Sequence, residues 1–227
     1  MHVLRSAMTT LGILLLTGAH YACQSPQADK GPPIPAPGST SAFLAGTLEK
    51  LLDSSLTTDT VEYGSHSPEP FVFFKSGYFL SKNERNALFF CAPRDSTYLI
   101  KLYSLQNNTW QLKDSIEGYA LGQLYFHATY DDYNFDGQTD IYIQELASSG
   151  YVLSSGLLLT IDGEQKKITP HIETRNLANM HPDPATKTVI SEEYISCNHP
   201  DGSNICTVTN KWLDDVLEPI KKKCNCP

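Results

Sequence analysis

Short segments in which apolar and polar residues alternate follow one another from Val61 onward. They are rich in β-branched and aromatic side chains, as in "TYLIKLYSL" and "TDIYIQEL", and Asn, Gly, Asp and Pro separate them. This pattern is typical of short strands joined by tight turns, and "LQNNTW" and "TIDGEQKK" have the composition of hairpin turns. The pattern predicts an all-β domain of about ten antiparallel strands, in hairpins that form a propeller-like or sandwich arrangement.

One segment before these strands has a different period. "SAFLAGTLEKLLDSSL" predicts a short amphipathic N-terminal helix near residues 41–55. The side chains on its apolar face are Leu44, Leu48, Leu51 and Leu52. No strict repeat and no linker follow residue 60, so residues 41–227 are expected to form a single domain.

The first 22 residues have the organisation of a signal peptide. "MHVLR" is a short basic beginning, and "TTLGILLLTGA" is an apolar run of signal-peptide length. In "GAHYAC", Cys23 follows the small Ala22 and resembles the lipid-accepting cysteine of bacterial lipoproteins. That resemblance implies lipidation of Cys23. The alternative is ordinary cleavage after Ala19, which would leave a secreted chain with a free Cys23.

Residues 23–40 differ in composition from both flanking regions. "QSPQADKGPPIPAPGSTS" is rich in Pro, Ser and Gly and has almost no apolar side chains. Such a segment cannot bury a core and predicts an extended, flexible tether. A tether after an anchor point suits a protein on the periplasmic face of the bacterial cell envelope, attached to the membrane only through its lipid.

Composition and charge narrow the classes of partner. Hydrophobic residues make up 41% and charged residues 19% of the 227 positions, an ordinary globular balance. The net charge of −8 argues against nucleic acid and against an anionic lipid surface as partners. An acidic chain instead favours basic partners.

The cysteines predict disulfides, because an exported protein folds in an oxidising compartment. Cys197 and Cys206 bracket the turn-rich "NHPDGSNI" and are expected to staple a hairpin. Cys91 is expected to pair with Cys224 or Cys226. If Cys23 is acylated, five cysteines remain and one has no partner within the chain.

A zinc site is the alternative use of these cysteines. Cys197, His199 and Cys206 together with the terminal "CNCP" would supply sulfur and nitrogen ligands. Their spacing matches no common structural zinc site, so disulfides are favoured.

The stretch "DDYNFDGQTD", residues 131–140, concentrates acidic residues between two predicted strands. Counted from Asp132, oxygen-bearing residues fall on EF-hand loop positions 1, 3, 5, 7 and 9. These candidate calcium ligands are Asp132, Asn134, Asp136, Gln138 through its backbone carbonyl, and Asp140. Gly137 stands at position 6, where the chain must bend sharply toward the ion. The spacing predicts a Ca²⁺ site.

Two features distinguish this loop from a complete EF-hand. Ile143 stands at position 12, where the bidentate Glu is missing, and strands replace the flanking helices. Glu145 lies two residues further and is a possible extra ligand. Without the Glu at position 12, a Kd on the order of 10⁻⁵ to 10⁻³ M is expected. The alternative is a solvated hairpin turn, since Asp, Asn and Gly are common turn residues.

The loop resembles the D-x-N-x-D-G-x-x-D calcium loops of FG-GAP and VCBS-type β repeats. A closer resemblance is to secreted bacterial proteins related to I-type lysozyme inhibitors, which include periplasmic immunity proteins. The segments that carry it are "DYNFDGQTDI", "NMHPDPATKTVIS" and "TNKWLDDVLEPIKK". The resemblance implies a propeller-like all-β fold, a calcium ion that organises a loop, and a partner that is a peptidoglycan hydrolase.

No catalytic motif is present in the sequence. It has neither a G-x-S-x-G elbow nor an H-E-x-x-H pair, and its histidines are scattered. The sequence therefore predicts a binding protein and not an enzyme. Two other possibilities stay open, namely a structural or glycan-associated envelope lipoprotein whose calcium only rigidifies a loop, and an unrecognised hydrolase.

Aromatic residues crowd the approach to the acidic loop. Half of them are expected to fill the core as inward strand positions. The alternative is an exposed recognition rim. The residues concerned are Tyr119, Tyr125, Phe126, Tyr130, Tyr133 and Phe135.

Overall fold

The computed structural model describes residues 37–65, 70–94, 97–119, 126–147, 153–195 and 204–224. The predicted signal peptide, Cys23 and most of the predicted tether lie outside these residues. Within the described part of the chain, no helix has the length and apolar character needed to cross a membrane.

The first five strands form one antiparallel sheet, in which chain order is also spatial order. The hairpin turn predicted at "LQNNTW" is confirmed, because Asn107 and Asn108 connect two paired strands with φ angles of 50° and 57°. The strands are β1 (Val61–Gly64), β2 (Phe71–Gly77), β3 (Asn86–Arg94), β4 (Thr97–Gln106) and β5 (Thr109–Gly118).

The remaining strands form a second antiparallel sheet. They are β6 (His127–Asp131), β7 (Asp140–Ala147), β8 (Ser154–Ile161), β9 (Ile168–His171), β10 (Ala178–Asp183), β11 (Thr188–Tyr194), β12 (Ile205–Leu213) and β13 (Val216–Cys224), with a 3₁₀ turn η1 (Ile172–Asn176) between β9 and β10. The spatial order is β13-β12-β11-β10-β8-β7-β6, and β9 pairs with β8 at the side. The "TIDGEQKK" turn joins β8 to β9, as predicted.

The two open sheets form a sandwich-like all-β fold. Alternate residues of both sheets point into one shared apolar cluster, which is the arrangement expected when two sheets pack face to face. The all-β prediction is therefore confirmed, and of the two arrangements considered the sandwich applies, not the propeller-like one. The cluster includes Leu88, Phe90, Ile100 and Leu102 from the first sheet and Ile141, Ile143, Leu157 and Leu159 from the second.

The predicted N-terminal helix is present as α1 (Pro37–Ser54). It begins before residue 41, so the end of the predicted tether is helical. Its leucines pack on the outer face of the first sheet. Near its C-terminal end, Trp110 Nε1 donates a hydrogen bond to the Leu52 carbonyl at 3.0 Å. Arg85 donates to the carbonyls of Ser55 and Thr58.

The predicted disulfide between Cys197 and Cys206 is wrong, because Cys206 is bonded to Cys224. These two residues face each other in the register of β12 and β13, with Cα atoms 4.3 Å apart. The register of the C-terminal strand, and not the nearby turn, brings the sulfurs together. The zinc alternative loses Cys206 for the same reason. Cys197, His199 and Cys226 lie outside the described residues.

The predicted pairing of Cys91 with one of the last two cysteines is also wrong. Cys91 is a free thiol in the middle of β3, fully buried beneath α1 among apolar side chains. Burial raises the pKa of this thiol to about 11. Cys91 therefore behaves as a small core residue.

Candidate metal centre

The acidic loop closes the hairpin between β6 and β7. Asp131 and Asp140 face each other across the two strands, and residues 132–139 project beyond them. The strands hold both ends of the loop, and hydrogen bonds inside the loop and to neighbouring strands set its shape.

The oxygens of Asp132 and Asn134 accept hydrogen bonds from the far side of the loop. The backbone N–H of Asp136 donates to Asp132 Oδ1 at 3.1 Å and to Asn134 Oδ1 at 3.0 Å. The N–H of Gly137 donates to Asp132 Oδ2 at 2.9 Å. These bonds turn the side chains at loop positions 1 and 3 inward, toward the chain that follows them.

Asp136 extends the same arrangement. Its carboxylate accepts a hydrogen bond from Gln138 N at 2.7 Å and another from Asn134 Nδ2 at 3.0 Å. The side chains at positions 1, 3 and 5 are thus joined through one small network. All three were predicted as calcium ligands, and the fold brings them together.

The bend of the loop requires unusual backbone conformations. Gly137 has φ of +89°, in the left-handed region that favours glycine. Phe135 also has a positive φ, 62°, although it has a Cβ. The sequence predicted the glycine but not the phenylalanine. The Phe135 ring compensates by packing on the apolar cluster beneath the loop.

Asp140 holds the loop to the rest of the second sheet. Its side chain has no exposed surface. Oδ2 accepts the N–H of Tyr133 at 3.0 Å and that of Asn134 at 3.2 Å, while Oδ1 accepts the N–H of Ile161 at 3.0 Å. Burial raises the pKa of Asp140 to about 7, against the lowering effect of these three donors. Asp140 thus connects the loop to β8 through hydrogen bonds, and its role as a calcium ligand stays a prediction.

Gln138 was predicted to contribute its backbone carbonyl. Its side chain lies against Gly163 in the turn between β8 and β9. A Cβ atom on Gly163 would come within 2.6 Å of Gln138 Cδ. The predicted contribution of the Gln138 carbonyl to a calcium site stays a prediction.

The donor types fit a calcium ion. Carboxylate and amide oxygens are the ligands that Ca²⁺ prefers, and an oxygen that accepts one N–H keeps a second lone pair. Among the described residues, no three acidic, histidine or cysteine side chains stand close enough together to hold a metal by themselves. The Asn134 amide, backbone carbonyls and water would have to complete the shell.

Glu145 is not available as an additional ligand. It lies further along β7, buried, and receives a bidentate ion pair from Arg175 at 2.7 and 2.8 Å. Arg175 also donates to the carbonyl of Tyr119. The suggestion that Glu145 reaches the loop is therefore wrong.

Beneath the loop lies a support that the sequence did not predict. Trp212 Nε1, on β12, donates a hydrogen bond to the Tyr133 carbonyl at 2.8 Å. The Trp212 ring meets the His171 ring edge to face, with centroids 4.8 Å apart. His171 Nε2 is 2.9 Å from Thr160 Oγ1, and Nδ1 is 3.4 Å from Glu173 Oε1. The only signal for this support in the sequence was the tryptophan of the last hairpin.

Because His171 is buried, we expect the free energy of unfolding to depend on pH. Burial lowers its pKa below 6.5, although the carboxylates of Glu173 and Asp215 oppose the shift. Both folded and unfolded chains are neutral at this residue well above pH 6.5. Below it, the unfolded chain takes up the proton first, so the free energy of unfolding is expected to fall. Urea unfolding between pH 7.5 and 5 measures this slope.

His171→Gln is the matched control for that slope. Gln cannot take up a proton, so the variant should lose less stability than the wild type between pH 7 and 5. Identical pH dependence in the two proteins would show that His171 does not contribute to it.

Most of the aromatic residues near the loop serve packing. Tyr133 is buried, and Phe126, Tyr130 and Phe135 pack partly buried against the apolar clusters. Tyr119 is the exception, with 76% of its surface exposed. Tyr125 lies outside the described residues. The interior interpretation is thus confirmed for these four residues.

Comparisons of the chain with protein-family models, with curated proteins and with solved structures found no match. The geometry of the loop and the motifs in the sequence therefore carry the functional conclusion.

Proposed function

We propose that this protein is a calcium-stabilised lipoprotein of the bacterial cell envelope that binds and inhibits a peptidoglycan hydrolase. The observation that carries the proposal is the loop network, in which Asp132, Asn134 and Asp136 turn their oxygens inward on calcium spacing. The ion would stabilise the loop and perform no chemistry.

The location is inferred from the chain before the domain. The apolar N-terminal run, Cys23 and the Pro-rich segment suit export followed by lipidation. The disulfide between Cys206 and Cys224 agrees with folding in an oxidising compartment. The protein would then face the peptidoglycan layer.

The charge supports a basic protein partner. The chain carries a net charge of −8. An enzyme that works on an anionic wall polymer benefits from a basic surface, because opposite charges steer association. Complementary charge would raise the association rate and make binding sensitive to salt.

An inhibition assay tests the partner directly. The chain without its predicted signal peptide and lipid would be mixed, at equimolar and tenfold excess, with muramidases and amidases. Any hydrolase whose gene neighbours that of this protein would be included. We expect one of these enzymes to lose most of its activity on peptidoglycan. Inhibition of none of them would contradict the proposal. Glycan-array binding without inhibition would favour the structural or glycan-associated alternative.

Asp136→Ala separates ion binding from local packing. Asp136 is exposed, and its carboxylate accepts hydrogen bonds from Asn134 Nδ2 and Gln138 N within the loop. We expect the variant to melt at a lower temperature than the wild type in calcium, because a ligand is lost. With chelator present the two melting temperatures should nearly coincide. Equal losses under both conditions would mean that the carboxylate acts only through local hydrogen bonds.

A further inference from the structure

The C-terminal hairpin reaches the candidate calcium loop through one side chain. Trp212 Nε1 donates to the carbonyl of Tyr133, the loop residue directly after Asp132. The same backbone segment is held on its other side by Asp140, which accepts the Tyr133 N–H. Hydrogen bonds to Asp140 of β7 and from Trp212 of β12 therefore hold the first turn of the loop from two sides.

Apolar packing reinforces this contact. Tyr133 and Leu217 are buried in one cluster, and Phe135 and Trp212 pack against it. Trp212 and Leu217 are partners in the register of β12 and β13. A shift of Tyr133 or Phe135 would therefore change the packing of Trp212 on β12 and of Leu217 on β13.

The tip of that hairpin is exposed and held by a tight turn. Asp214 and Asp215 have φ angles of 48° and 67°, the conformation of a two-residue hairpin turn. Leu213 and Val216 on either side are each 45% exposed. A tip of this kind has few contacts of its own, so its order depends on the strands behind it.

We propose that Trp212 is a positioning residue for the calcium loop, so that ion binding at residues 132–140 and ordering of the β12–β13 hairpin are coupled. The proposal rests on the calcium binding of the proposed function. Trp212 is not one of the candidate ligands. It fixes the Tyr133 carbonyl, and with it the start of the loop, and by reciprocity the occupied loop fixes Trp212 and the hairpin tip.

The chain contains two tryptophans, which supplies a matched control. Trp110 is also partly buried and also donates its indole N–H to a carbonyl, that of Leu52 in α1, at 3.0 Å. It lies in the cluster beneath the helix, apart from the loop. Trp110→Phe leaves Trp212 as the only tryptophan, and Trp212→Phe leaves Trp110.

The experiment titrates CaCl₂ into both variants while tryptophan fluorescence and heat are recorded. In Trp110→Phe, fluorescence should change with the same midpoint as the calorimetric binding curve. In Trp212→Phe it should stay constant, and the Kd for calcium should rise by about threefold to tenfold, the effect of losing one hydrogen bond. The Kd of Trp110→Phe should match that of the wild type.

Hydrogen exchange of the wild-type protein tests the coupling without any variant, so it does not depend on whether Trp212→Phe folds. Calcium should slow exchange of the amides at residues 213–216 as well as those of the loop. Calorimetric binding with protection confined to residues 131–140 and no change in Trp212 fluorescence would overturn the coupling while leaving calcium binding intact. Absence of calorimetric binding would overturn both.

Discussion

Replacing Arg175 with Ala is expected to lower the free energy of unfolding by about 3–5 kcal/mol. Arg175 is the charged partner of Glu145, whose side chain is only 2% exposed. Removing the guanidinium leaves a carboxylate buried in β7 with neither water nor a counter-charge. A buried ion pair adds little by itself, but breaking one side of it is costly because the remaining charge stays desolvated.

Urea unfolding of Arg175→Ala and the wild type measures this loss. Lys222→Ala is the control, because the Lys222–Glu193 pair has side chains that are 43% and 53% exposed. An exposed pair should be worth less than about 1 kcal/mol. A loss for Arg175→Ala no larger than that of the control would show that Glu145 is well solvated without its partner.

Asp140→Ala is the second substitution expected to have a large effect, a loss of about 3 kcal/mol or more. It removes the acceptor for the backbone N–H groups of Tyr133, Asn134 and Ile161 in a buried setting. Each unsatisfied buried amide costs about 1–3 kcal/mol, reduced where the loop can open to water. The loss should appear in calcium and also in chelator, since these bonds do not need the ion.

Thermal and urea unfolding of Asp140→Ala under both conditions test this role. Asp136→Ala is the matched control, because that loop carboxylate is exposed and should matter only when calcium is bound. Asp140→Asn should be intermediate, since its single carbonyl oxygen can replace only one of the two carboxylate oxygens. If Asp140→Ala lost stability only in calcium, Asp140 would stabilise the protein as a calcium ligand and not as an acceptor for the backbone N–H groups.

Local chemistry in the sequence predicted the elements whose shape depends on neighbouring residues. The Asn107–Asn108 turn, the leucine face of α1 and the inward oxygens of Asp132 and Asn134 all follow from residues a few positions apart. Alternation of apolar residues likewise predicted the strands and their buried faces.

Features that depend on distant pairing were not predictable in this way. Cys206 meets Cys224 because of the register between β12 and β13, which no local spacing encodes. Position in the chain suggests Glu145 as an extra ligand for the loop, yet its partner Arg175 lies 30 residues away. Trp212 is 79 residues from the Tyr133 carbonyl that it holds. The packing of open sheets into a sandwich has the same origin, because it depends on which strands neighbour one another.

Calorimetric titration with CaCl₂ tests most directly whether residues 132–140 bind calcium. It uses the chain without its predicted signal peptide and lipid, after a chelator has removed divalent ions. We expect one ion per chain with a Kd on the order of 10⁻⁵ to 10⁻³ M. At calcium concentrations about a hundredfold above that Kd, the free energy of unfolding should rise by about 2.7 kcal/mol. No binding heat and no thermal stabilisation at about 10 mM calcium, tenfold above the weakest expected Kd, would contradict the claim that residues 132–140 hold an ion.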